Sequence, residues 1–130
     1  MSISAAARLA FLFAAASGFT ATALGAFAAH ALKARLPEAA LGWVETGVRY
    51  QFFHTAALLA AAMWLLYGAP SLVVWSSWAF MLGIVLFSGS LYLMAFTGFR
   101  GVAFLTPVGG IAFLIGWALL FAAAWQAGVR

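Results

Sequence analysis

His30 and His54 are the only side chains of this sequence that ordinarily titrate between pH 5 and 8, so acid–base or metal chemistry would have to start from them. His54 follows Gln51 by three residues and precedes Leu58 by four, which puts all three on one helical face. Two roles are open to it: a hydrogen-bonded core histidine, or a ligand contact or proton relay. His30 closes an apolar run and reads as a cap on helix-end carbonyls or as a site member. Glu45 and Arg49 stand four apart, within reach of each other on a helix. Ser88, Ser90, Tyr92, Arg100 and Thr106 complete the polar inventory. A hydrolytic triad needs serine, histidine and carboxylate at contact; Ser88 or Ser90, His54 and Glu45 supply the types, but nothing in their spacing brings them together. Two histidines without a cysteine, and no acid inside the apolar runs, make a poor metal site. The four methionines are scattered and read as packing. No catalytic residue, metal or cofactor is expected, and the chain reads as a non-enzyme.

The elements that position these residues follow from composition. In 130 residues, 68% are hydrophobic and 6% charged, against about 45–50% and about 25% in an ordinary soluble domain. So small a chain has no core large enough to hide that surplus, so its solvent is lipid. The net charge of +4 forms no basic run, which points to topology signalling and contact with membrane lipids and away from nucleic acid.

Charge-free runs mark the spans: Leu9 to Ala29, Tyr50 to Phe99, and Gly101 to Val129. A crossing helix needs about 20 residues. The middle run holds two, divided at Gly68-Ala69-Pro70-Ser71. One domain over 1–130 results, with spans at about 9–30, 49–67, 71–97 and 105–126. The fold class is all-α, an integral membrane four-helix bundle running up-down-up-down. The first run exceeds a signal-peptide core and is read as a retained span. Pro37 starts a mixed segment, through Glu38 to Tyr50, that either lies at the interface or extends span two outward. Thr106-Pro107 reads as a cap and first-turn proline for span four.

Small residues recur where helices should approach closely. Span one carries Gly18, Thr22, Gly25 and Ala29; span three carries Gly83 and Gly89; span four carries Gly109, Gly110 and Gly116. Gly109 and Gly110 are expected to touch a neighbouring helix. The stripes serve compact packing or a homo-oligomer.

Sorting residues by depth gives an asymmetry. One membrane face, side B, carries the 30–49 and 98–105 connections, and the half of the bundle beneath it gathers the polar groups. Polar side chains in lipid should turn inward together, so His30, Glu45, Arg49, Gln51, His54, Ser88, Ser90, Tyr92, Arg100 and Thr106 form a candidate ligand pocket. His54 should be buried, facing His30 or span four. Arg100 should meet the carbonyls ending span three, Glu45, or a lipid phosphate. The half nearer side A reads as almost wholly apolar. Raw counting of cations puts side B in the cytoplasm, but without Arg49 and Arg100 the two faces tie.

Four segments resemble the YgdD-like family, a domain-of-unknown-function family of small bacterial membrane proteins: Gly25-Ala26-Phe27-Ala28-Ala29-His30, Gly47 to His54, Leu86 to Tyr92, and Thr106 to Gly110 followed by Gly116-Trp117. Ala28 stands where a second glycine is usual. The resemblance implies a four-span protein of the bacterial inner (plasma) membrane and brings no agreed activity. Two functions compete. One is a bundle binding or passing a small molecule or lipid through the polar half-pocket. The other is an interaction or assembly partner of a larger membrane complex.

Overall fold

The structure, a computed structural model, describes residues 2–129. It is all-helical, with four long helices: α1 (Ala5–His30), α2 (Glu38–Leu66), α3 (Ser71–Thr97) and α4 (Leu105–Gln126). Short 3-10 turns, Leu32–Ala34 and Arg100–Val102, lie in the two side B connections. Ser4 caps α1 by accepting a hydrogen bond from the Ala7 amide at 3.2 Å. Gly68 and Gly98, at φ 81° and 73°, end α2 and α3 in a conformation that side chains with a Cβ resist.

α1, α3 and the Arg100–Gln126 stretch containing α4 are each long and apolar enough to cross a membrane. α2 is long enough at 29 residues, but Arg49, Gln51 and His54 lower its apolarity. Its place in the bundle makes it the fourth span. Ser17 of α1 bonds Thr55, and Ala28 clusters with Val44 while Ala10 clusters with Ala62. α2 therefore runs antiparallel along nearly the whole of α1. It pairs with α3 in the same sense, Gly47 with Ser88 and Ala57 with Phe80, and α3 with α4, Ser90 with Thr106 and Ser76 with Gly116. The Glu38–Tyr50 segment is thus a continuous extension of α2. At 1.5 Å per residue α2 is about 43 Å long, so it outruns the roughly 30 Å hydrocarbon layer.

The packing face of α1 differs from the expected glycine stripe. Its buried residues are Ala7, Ala10, Ala14, Ser17, Ala21 and Ala28, a heptad spacing that Leu24 completes. Thr22 and Ala29 are exposed, and Gly18 lies only in ordinary contact range of Thr55. Alanine suffices because the two backbones approach along a coiled-coil seam.

Elsewhere glycines form sockets. A Cβ on Gly109 would lie 2.4 Å from the backbone nitrogen of Phe87, and one on Gly116 would lie 2.6 Å from the Phe80 ring. Gly83 receives the Phe113 ring and Gly47 the Tyr92 ring. A Cβ on Gly25 would lie 3.3 Å from the Val48 side chain. Gly110 departs from expectation, with its nearest neighbour at 3.9 Å, and Gly89 has open space where a Cβ would stand. Gly110 sits beside the socket residue Gly109, which makes the contact.

α3 contains a π-helical stretch, Ile84–Ser88. Its wider turn brings the Phe87 backbone against Gly109 and aims the Ser88 hydroxyl at the Gly47 carbonyl, 2.7 Å away. The Ser88-Gly89-Ser90 segment therefore adjusts helix register as well as carrying polar groups.

Candidate functional site

Gln51 is the hub of the polar half. Its carboxamide nitrogen donates to the Ser17 carbonyl at 2.9 Å, to Ser17 Oγ at 3.2 Å and to Thr20 Oγ1 at 2.8 Å. Its oxygen accepts from the Tyr92 hydroxyl at 2.6 Å. One amide on α2 thereby ties α1 to α3. The Ser17–Thr55 hydroxyl pair, at 2.7 Å, closes the network.

His54 is buried and turns the other way, toward α4. Its Nδ1 lies 2.8 Å from the Tyr50 carbonyl, and Trp117 Nε1–H donates to its Nε2 at 3.1 Å. A carbonyl only accepts and an indole only donates, so the ring is neutral and carries its proton on Nδ1. The imidazole stacks on Phe113, with centroids 3.5 Å apart and planes 9° from parallel. Tyr50, Phe80, Phe87 and Trp117 complete an aromatic layer among α2, α3 and α4. His30 stands exposed on the last turn of α1 and takes no part in this layer.

Ser90 bonds both the Phe87 carbonyl and the Thr106 hydroxyl. Thr106 lies inside α4, after a start at Leu105, so it joins α3 to α4 and does not cap. Ser76 donates to the Gly116 carbonyl at 2.7 Å and Ser77 to Val73, both buried in the half expected to be apolar. Among the described residues every buried side-chain nitrogen and oxygen has a hydrogen-bond partner. A polar group in hydrocarbon either pairs or is expelled; here Ser77 pairs within its own helix, while Ser76, Ser88 and Ser90 pair with a neighbouring one.

The ten expected pocket residues therefore do not form one pocket. Gln51, His54, Ser88, Ser90, Tyr92 and Thr106 are bonded into the bundle. His30 is exposed apart from them. Arg100, also exposed, sits with its guanidinium 5.2 Å from the centre of the Trp43 ring. That partner was not among the three expected; the flat face of an indole outside the hydrocarbon layer receives a guanidinium without full desolvation.

Glu45 and Arg49 do share a cavity. A groove of about 280 Å³ runs between the last turns of α1 and the first turns of α2, lined by Gly25, Ala28, Ala29, Lys33, Glu45, Val48 and Arg49. Small residues of α1 and the charged Lys33, Glu45 and Arg49 line it together, where the apolar run of α1 ends and that of α2 begins. A second, apolar groove of about 190 Å³ opens sideways where α1 meets α3, lined by Phe13, Ala16, Ser17, Thr20, Gln51 and Ile84. Among the described residues no group of three or more His, Asp or Glu side chains is gathered as for a metal ion.

Sequence reasoning missed Ser17, Thr20 and Thr55, which complete the Gln51 network, and Lys33, Trp43 and Trp117. For Ser17 the signal was present: it occupies a heptad position among alanines. Trp117 stood only in a segment of the family resemblance, and its contact with His54 joins residues 63 apart in sequence.

Residues 24–110 match the family described as "Protein of unknown function (DUF423)". The chain is 48% identical over 117 residues to "UPF0382 inner membrane protein YgdD" of Escherichia coli (strain K12), covering 90% of this chain and 89% of that protein. It is 50% identical over 102 residues to a "UPF0382 membrane protein" of Haemophilus influenzae, covering 78% and 81%. With "UPF0382 membrane protein SAB0533" of Staphylococcus aureus it shares 34% over 120 residues, covering 92% and 97%. No solved structure matches.

Proposed function

The chain belongs to the DUF423 family and is a multi-pass inner-membrane protein; from that premise we propose that it binds the polar head of a membrane amphiphile in the groove between α1 and α2. The observation that carries this reading is that Lys33, Glu45 and Arg49 line one cavity with the small residues Gly25, Ala28 and Ala29. Its volume lies just under the roughly 300–1,000 Å³ of small-molecule pockets, which suits a headgroup while the tail stays in lipid. The interior polar groups act as ties that keep α1 and α2 in register, so the groove is held open by the bundle. Passage through the bundle has less support, because the described buried polar side chains already have hydrogen-bond partners within it.

The test is lipid retention on purification in mild detergent, followed by native mass spectrometry. A cation near an anionic surface contributes about 1 kcal/mol, so Lys33→Gln with Arg49→Gln should weaken retention by about 2 kcal/mol, roughly thirtyfold. Equal retention by wild type and the double variant would overturn the reading. A second reading, a partner helix of a larger complex, is favoured by the seam where α1 touches α3 only lightly, along which lie the groove of Phe13 and Ile84 and another apolar one lined by Leu9, Val74, Trp78 and Met81.

A further inference from the structure

We infer that the groove prefers a headgroup carrying both a phosphate and an amine, an ethanolamine phospholipid, over a purely anionic one; this rests on the headgroup-binding reading above. The groove presents two cations and one carboxylate, not a uniformly basic rim. Glu45 and Arg49 stand one helical turn apart on α2, and Lys33 reaches the same cavity from the 3-10 turn after α1. A phosphodiester takes its partners from Arg49 and Lys33, the first as a planar fork and the second as a point charge. Glu45 then faces whatever follows the phosphate. An ammonium two carbons further on finds an opposite charge there. A glycerol headgroup brings only hydroxyls to the carboxylate, and no positive charge of its own offsets the repulsion between that carboxylate and its phosphate. The two cations would draw any anionic lipid to this face, so the carboxylate is the element that discriminates. The small residues Gly25, Ala28 and Ala29 leave room beside it for the headgroup to lie along α1.

Glu45 is exposed, so its replacement by glutamine leaves the bundle intact and removes only the charge. The experiment reconstitutes the full chain in nanodiscs holding equal amounts of phosphatidylethanolamine and phosphatidylglycerol with matched tails. The lipid retained is then read by native mass spectrometry. The wild type should favour the ethanolamine lipid by about 1.4-fold to fivefold, the range of one exposed ion pair. Glu45→Gln should lose the preference while retaining lipid, and Glu45→Asp should keep it. Equal retention of the two lipids by wild type, or a preference that survives Glu45→Gln, overturns the inference and leaves headgroup binding standing. If wild type retains neither lipid, headgroup binding and the inference fall together. Free glycerophosphoethanolamine as competitor identifies the source. Failure to displace the lipid supports a membrane-borne ligand, and displacement at equal concentration shows that a soluble zwitterion is bound by the same chemistry.

Discussion

Replacing Gln51 by leucine tests the claim that interhelical ties, and not apolar packing alone, hold α1 to the rest of the bundle. The carboxamide has two N–H donors shared over three acceptors on α1, and one oxygen accepting from Tyr92. That amounts to three full hydrogen bonds. Interhelical bonds in membrane proteins average about 0.6 kcal/mol and reach about 1.7, so their loss costs about 2 kcal/mol and at most about 5. The stranded Tyr92 hydroxyl adds about 1 kcal/mol or more, because its ring is fixed in the Gly47 socket. The expected total is about 3 kcal/mol. Leucine keeps the volume roughly constant, so little of this arises from a cavity. Reversible unfolding in bicelles gives the number directly. Tyr92→Phe, which removes one bond, should cost about 1 kcal/mol, and a double-mutant cycle should find Gln51 and Tyr92 coupled. A loss below about 0.5 kcal/mol for Gln51→Leu, or no coupling with Tyr92, would refute the account of the hub.

Gly109→Ala should destabilise by about 1–3 kcal/mol, because its Cβ meets the Phe87 backbone, which has nowhere to go. Gly89→Ala, with open space at its Cβ, should leave thermal stability equal or higher; equal effects at the two positions would contradict the socket geometry. Nitrogen NMR should find His54 neutral with its proton on Nδ1, and Trp117→Phe should shift the Nε2 resonance and cost about 0.6–1.7 kcal/mol. Trp43→Ala should remove about 0.5–1 kcal/mol and speed amide exchange across the 98–104 connection, an effect that Arg100→Gln should reproduce.

Span number and order were legible because lipid imposes them. Charge-free runs of sufficient length become helices, and Gly68-Ala69-Pro70-Ser71 divides the longest of them. The start of α2 was hidden because Glu38–Tyr50 mixes polar and apolar residues, a pattern shared by interfacial helices and by a helix extended beyond hydrocarbon. The inward face of α2 was legible from Gln51, His54 and Leu58, since polar groups in lipid turn toward one another. Which of them bond was not, because Ser17, Thr20 and Trp117 lie far away in sequence and are common residues in membrane helices. The glycine stripe misdirected the reading of α1: there the heptad of alanines decides the face. Arg100 was assigned to charged or carbonyl partners because an aromatic face leaves no complementary charge to find in a sequence. The groove was half visible. Glu45 and Arg49 stood out, but Lys33 enters through a turn whose geometry only the fold supplies.

The central claim is that the groove grips a phosphate-bearing headgroup, and dipolar contact between lipid phosphorus and side-chain nitrogen measures this most directly. Protein labelled with nitrogen-15 at arginine and lysine would be reconstituted in ethanolamine phospholipid and studied by phosphorus–nitrogen solid-state NMR. The account predicts strong, immobile contacts from Arg49 and Lys33, and weak contact from Arg100, whose guanidinium lies over Trp43. Uniformly weak contacts across all the cations, or a stronger contact from Arg100 than from Arg49, would contradict it.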